Sequence, residues 1–95
     1  MINLYQKSWK ESNTEIAERM VQLRKRKKLS QKSLALRSGV SLGSLKRFEQ
    51  TGEISLQSLT KIAIALEVEG EIEELFSKVP FASIDEVIHA QTRSI

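Results

Sequence analysis

Between Ser30 and Gln50 the chain reads SQKSLALRSGVSLGSLKRFEQ, and nearly every side chain in it able to do chemistry is a donor. They include the amides of Gln31 and Gln50, the cations of Lys32, Arg37, Lys46 and Arg47, and serine hydroxyls, among them Ser41 and Ser44. No carboxylate interrupts them before Glu49. Ammonium and guanidinium groups flanked by amide and hydroxyl donors suit a polyanion, because they match phosphate oxygens and other planar acceptors. Catalytic chemistry has far less to stand on. His89 is the single histidine and falls in an amphipathic tail, where a solvated surface role is the plain reading. There is no cysteine, which excludes disulfides, thiolate nucleophiles and cysteine-ligated zinc. Glu67, Glu69, Glu71, Glu73 and Glu74 lack the glycine-turned spacing of a calcium loop and read as an acidic solvated face or one that meets a basic partner. The sequence therefore predicts neither an enzyme, nor a metal site, nor a cofactor.

Donors of this kind act only when a scaffold presents them together. The chain has 95 residues, 40% of them apolar and 28% charged, enough for one globular domain and too apolar for a disordered segment. Strand signals are nearly absent and helical ones recur, so the fold is expected to be all-α. Ser12-Asn13-Thr14-Glu15 reads as a capping box, followed by an inward stripe of Ile16, Met20 and Leu23. This first helix closes in Arg24-Lys25-Arg26-Lys27-Lys28, where cations suit the negative end of the helix dipole. Ser30 caps a second helix over about 31–38, with Leu34 and Ala35 inward, and Gly39 turns the chain. Ser41 caps a third over about 42–50, held by Leu45 and Phe48 and ended by Thr51-Gly52. Ser55 caps a fourth whose apolar face is Leu56, Leu59, Ile62, Ala63 and Leu66. Gly70 marks a break before a short fifth helix with Ile72, Leu75 and Phe76. Ser77 to Ala82, with the only proline, Pro80, reads as a linker, and Ser83-Ile84-Asp85-Glu86 opens a short amphipathic tail carrying Ile84, Val87 and Ile88. Tyr5 and Trp9 are expected to pack against the core, and Phe76 and Phe81 to serve as core or interface residues.

Charge is divided along the chain. Residues 1–47 hold twelve Lys/Arg and three Glu, a balance of +9, while residues 48–95 hold three Lys/Arg and nine Asp/Glu, a balance of −6. The overall +3 thus conceals one half suited to a polyanion and another suited to something else. No apolar run approaches the roughly 20 residues that cross a bilayer. The opening MINLYQKSWKES lacks the apolar core of a signal peptide, so a cytoplasmic, nucleoid-associated location is expected.

Two short helices around a glycine turn can hold the second proud of the body, as a helix must be to enter a DNA major groove. The segment Leu29 to Leu66, LSQKSLALRSGVSLGSLKRFEQTGEISLQSLTKIAIAL, resembles the helix-turn-helix domain of the Cro/C1-type (XRE) regulator family in its LSQ, LA, GVS, FE and KIA elements. With the first helix and EIEELF the resemblance spans about residues 16–76. It implies a compact five-helix, lambda repressor-like all-α domain that binds operator DNA as a homodimer. The segment GVSLGSLKRFEQTGEISLQSL, together with the SIDEVI tail, more narrowly resembles HipB-type antitoxins, which implies a repressor that also binds a HipA-type, kinase-like toxin protein.

Residue by residue, the resemblance places Gln31 at a phosphate beside the second helix's N-terminus, with Lys32 next to it. It puts Ser41, Leu42, Gly43, Ser44, Lys46, Arg47 and Gln50 on the DNA-facing side of the recognition helix. Phage repressors often carry glutamines where this chain has Leu42 and Gly43; leucine can only pack on a thymine methyl and glycine can only permit close approach. Base reading thus falls mainly to Ser44, Lys46 and Arg47, with Arg47 suited to a bidentate guanine contact. Arg24 and Glu49 match a structural ion pair between the first and third helices. The domain organisation read from all of this is an N-terminal arm or short helix over 1–13, a helix-turn-helix domain over 14–76 with its motif at 31–50, and a linker with a C-terminal tail over 77–95. The alternative reading is a protein-interaction adaptor that uses the same fold without specific DNA readout, which Leu42 and Gly43 favour.

Overall fold

The computed structural model describes residues 6–78, which form five helices and no strand. They are α1 (Trp9–Arg26), α2 (Gln31–Ser38), α3 (Leu42–Thr51), α4 (Leu56–Ala65) and α5 (Glu69–Glu73). The expected all-α, five-helix architecture is what the chain adopts. Tyr5, Pro80, Phe81, His89 and the amphipathic tail lie outside the described residues.

One device starts the first four helices. Ser8, Ser30, Ser41 and Ser55 each sit in extended backbone and accept, through Oγ, the N–H three residues on: Glu11, Ser33, Ser44 and Ser58. Each serine thereby satisfies one of the orphan donors of a helix start, worth about 1 kcal/mol. The start of α1 corrects the sequence reading. Ser12 lies inside the helix and its N–H donates to the Ser8 carbonyl at 3.1 Å. Ser8-Trp9-Lys10-Glu11 offers the same spacing one turn earlier, and nothing between the two sites stops propagation, which adds one hydrogen bond per residue.

The core is built on Phe48, Leu34, Leu45, Ile62 and Leu66, with Ala17, Met20, Leu29, Ala35 and Val40 packed around them. From α1 it is Ala17 and Met20 that enter, while Ile16 is 43% exposed, against the expected stripe. Helix α1 comes close to the end of α3, where a Cβ on Gly52 would lie 2.8 Å from the carbonyl carbon of Asn13, and one turn on it is the small Ala17 that is buried. In α4, Leu59, Ile62, Ala63 and Leu66 face inward, but Leu56 is exposed, since the apolar stripe overruns the core by one turn.

The C-terminal end differs from expectation in three respects. The break between α4 and α5 falls at Leu66–Val68, with Glu67 in the left-handed region (φ 61) and the Val68 N–H returning to the Ala63 carbonyl at 2.9 Å. Gly70 is a helical residue of α5. Leu75 and Phe76 are exposed, because α5 ends at Glu73 and a turn with Phe76 at φ 60 carries them away from the core. Trp9 is likewise exposed, with the Lys10 ammonium 5.4 Å from its ring centre. On the outer side of α1, Lys7 donates to Glu15 at 2.7 Å. That hydrogen bond, helped by the charges of Lys7 and Arg19, holds the Glu15 carboxyl below its ordinary range.

Candidate nucleic-acid interface

The joint between α2 and α3 is rigid for local reasons. Gly39 adopts φ 74, a conformation open to glycine without steric cost, and its N–H donates to the Ala35 carbonyl at 3.0 Å. The Ser38 hydroxyl donates to the same carbonyl and accepts the Val40 N–H, both at 3.2 Å. Val40 then plugs into the core, so the turn is fixed on both sides.

Packing decides what α3 shows to solvent. Leu45 and Phe48 are buried and Glu49 is partly so, which leaves Gly43, Lys46, Arg47 and Gln50 along the opposite side, all exposed. These positions recur at three- and four-residue spacing and share one face of a helix. Ser41 and Ser44 are exposed at its N-terminal end. The Ser41 hydroxyl is committed twice, accepting the Ser44 N–H at 3.1 Å and donating to the Ser44 Oγ at 2.8 Å. Ser44 keeps its own hydroxyl proton to donate outward. Leu42 does not stand with this group: it is half-buried and packs against the core cluster. The resemblance puts it on the DNA-facing side, and its packing accounts for its apolar type.

Behind the face lies a buried polar joint. Arg24 of α1 donates from Nε to Glu49 Oε2 at 2.8 Å and from Nη2 to Glu49 Oε1 at 2.9 Å. Its Nη1 donates to the Leu29 carbonyl at 2.9 Å. Gln31, at the start of α2, donates from Nε2 to Glu49 Oε1, also at 2.9 Å. One carboxylate thus ties three helices, and it turns the Gln31 amide so that one N–H points inward. Lys32, beside it, is exposed.

A further residue belongs here that the sequence reading passed over. Glu53, just beyond α3, accepts a hydrogen bond from Arg47 Nη2 and forms an ion pair with it. The available signal was Gly52: a glycine that ends a helix in the left-handed conformation turns the chain back toward the preceding turn. Among the described residues no ion pair engages Lys46, no cluster of His, Asp or Glu could hold a metal, and no helix is long and apolar enough to cross a membrane.

A family model described as helix-turn-helix matches residues 20–72, more than half of the chain. The chain belongs to this helix-turn-helix family, of the Cro/C1 (XRE) type. The matched span runs from Met20 into α5 and includes the turn, the outward face of α3 and the Arg24–Glu49 joint. The family is one of DNA-binding transcriptional regulators, not of enzymes. No match to the chain was found among curated proteins or among solved structures.

Proposed function

We propose that the protein is a sequence-specific repressor that binds operator DNA as a homodimer through α3. The observation that carries this reading is the outward face of that helix. Lys46, Arg47 and Gln50 stand on a segment locked to the core by Leu45 and Phe48, beside a glycine that lets DNA come close. The major groove admits a helix, and donors of these types suit guanine and adenine edges and the flanking phosphates. Gln31 and Lys32, at the N-terminal end of α2, serve as phosphate contacts, with Gln31 held in place by Glu49. Leu42 is half-buried against the core, which gives its apolar type a packing reason and weakens the case for an adaptor that rested on it.

Within this function, the setting we favour is the antitoxin of a HipA-type toxin–antitoxin operon. It is supported by the likeness of residues 39–59 to HipB-type antitoxins and by the acidic run Glu67, Glu69, Glu71, Glu73 and Glu74, exposed on the side of the chain where the basic charge ends. Selection of binding sites from random duplex tests the main reading. The expected outcome is an imperfect palindrome with half-sites about ten base pairs apart, because two-fold related recognition helices sit about one DNA turn apart. Affinity should fall about 10³- to 10⁵-fold between 50 and 200 mM salt if roughly 6–10 phosphates are contacted. A selected site without symmetry, or affinity indifferent to salt, counts against it.

A further inference from the structure

Among the described residues, the acidic side chain that touches the outward cations of α3 is Glu53, and the backbone fixes it there. Gly52 is buried at φ 79 with no room for a Cβ against Asn13, so the chain leaves α3 in one direction. The Thr51 hydroxyl donates to the Arg47 carbonyl at 2.7 Å and accepts the Glu53 N–H at 3.1 Å, tying both ends of the pair to one side chain. A carboxylate in this place is costly for a surface that must approach phosphates, since it repels them and cancels the charge of Arg47. Stability does not explain it. The two side chains are 68% and 53% exposed, and ion pairs in water contribute about 1 kcal/mol or less.

Specificity does explain it. A bare guanidinium binds phosphate at any point along a duplex, and phosphates carry no sequence. A guanidinium neutralised by a carboxylate loses most of that general attraction. It keeps its remaining N–H donors in a planar fork, held at a set angle, and these match the O6 and N7 acceptors of guanine. We infer that Glu53 is a specificity-determining residue: its ion pair with Arg47 suppresses non-specific phosphate binding and aims the guanidinium at a base edge. This rests on the operator-binding reading given above and assigns Glu53 a positioning role within it.

The test is a pair of anisotropy titrations of the full chain, on the selected operator and on a random duplex of equal length, read as the ratio of the two affinities. Glu53→Gln removes the charge, keeps the size, and lies on the surface, so circular dichroism should show an unchanged fold. Affinity for random duplex is expected to rise about three- to tenfold and its salt slope to steepen by about 0.9, the equivalent of one added phosphate contact. Operator affinity should change less than this, so the ratio falls. In an Arg47→Ala background the same substitution should leave the ratio where it was. A ratio unchanged or raised by Glu53→Gln overturns the inference, as does a fall of equal size with and without Arg47. If the wild-type chain prefers no duplex, the operator-binding reading fails and takes this role with it; if the wild type prefers an operator and the ratio survives Glu53→Gln, only the role of Glu53 falls.

Discussion

Arg24 is the buried charged residue among those described, 9% exposed, and each of its nitrogens has an acceptor. No buried side-chain N or O in the described residues lacks a hydrogen-bond partner. Such a joint gives geometry more than stability, because taking two charges out of water offsets much of their attraction. Its product is geometric: Glu49 ties α3 to α1 and orients Gln31 at the start of α2. Breaking it from one side strands a charge. Glu49→Ala, which leaves the guanidinium buried and unpaired and releases Gln31, is expected to cost about 3–5 kcal/mol in urea unfolding. The double variant Arg24→Met/Glu49→Leu, with similar volume and no charge, should cost much less than Glu49→Ala. A loss below about 1 kcal/mol for Glu49→Ala would mean that the pair is solvated and immaterial to the fold.

Among the elements, α2 and α3 were the most legible in the sequence, since each has a serine at its start and a glycine at its end, and these residue types act through local backbone physics alone. Where two local signals competed, sequence was a poorer guide. Ser8 and Ser12 both fit a cap, and only the absence of any stop between them decides for Ser8. Ala17, not Ile16, is buried on α1, because which face of a helix turns inward is set by the helices it packs on, and no periodicity contains that. Glu53 was overlooked for the same cause, as a return turn sets its partner, and packing likewise sets the partial burial of Leu42. Gly43 now stands out on α3. It has an ordinary helical backbone, and a Cβ there would meet nothing within 4 Å. The protein itself gives no reason for a glycine. Gly43→Ala should therefore stabilise the fold by about 0.5–1 kcal/mol, a rise in melting temperature of roughly 2–8 °C for a domain of this size. On the reading face the added methyl group projects beside Lys46 and Arg47, and operator affinity should fall while stability rises. A stabilised variant with undiminished affinity would place Gly43 outside the contact.

At the scale of the whole molecule the division of charge reappears in space only in part. Lys46 and Arg47 stand exposed on α3 and Lys32 at the start of α2, whereas α5 and the turn before it carry Glu67, Glu69, Glu71 and Glu73. Lys27, just after α1, reaches Glu67 at 3.6 Å. The acidic end is also where apolar surface is exposed, at Leu75 and Phe76, immediately before the segment read as linker and tail. That tail, with Ile84, Val87 and Ile88 at helical spacing, lies outside the described residues, so its role is argued from sequence. A helix shorter than about 12–15 residues rarely persists alone in water, and its stripe needs a surface to cover. Among the described residues the last helix ends at Glu73 and the last buried core residue is Leu66. The tail's stripe could fold back on the domain, pair with its twin or dock on another protein, and we propose that it serves assembly. A chain ended after Pro80 should keep its helix content and a cooperative melting transition. Sedimentation should show weaker dimers, with operator affinity reduced in proportion, because two half-sites are then bound by separate protomers. If the shortened chain unfolds outright, the tail belongs to the core; if it dimerises and binds operator as the full chain does, the dimer is made by the five helices and the tail has no part in assembly.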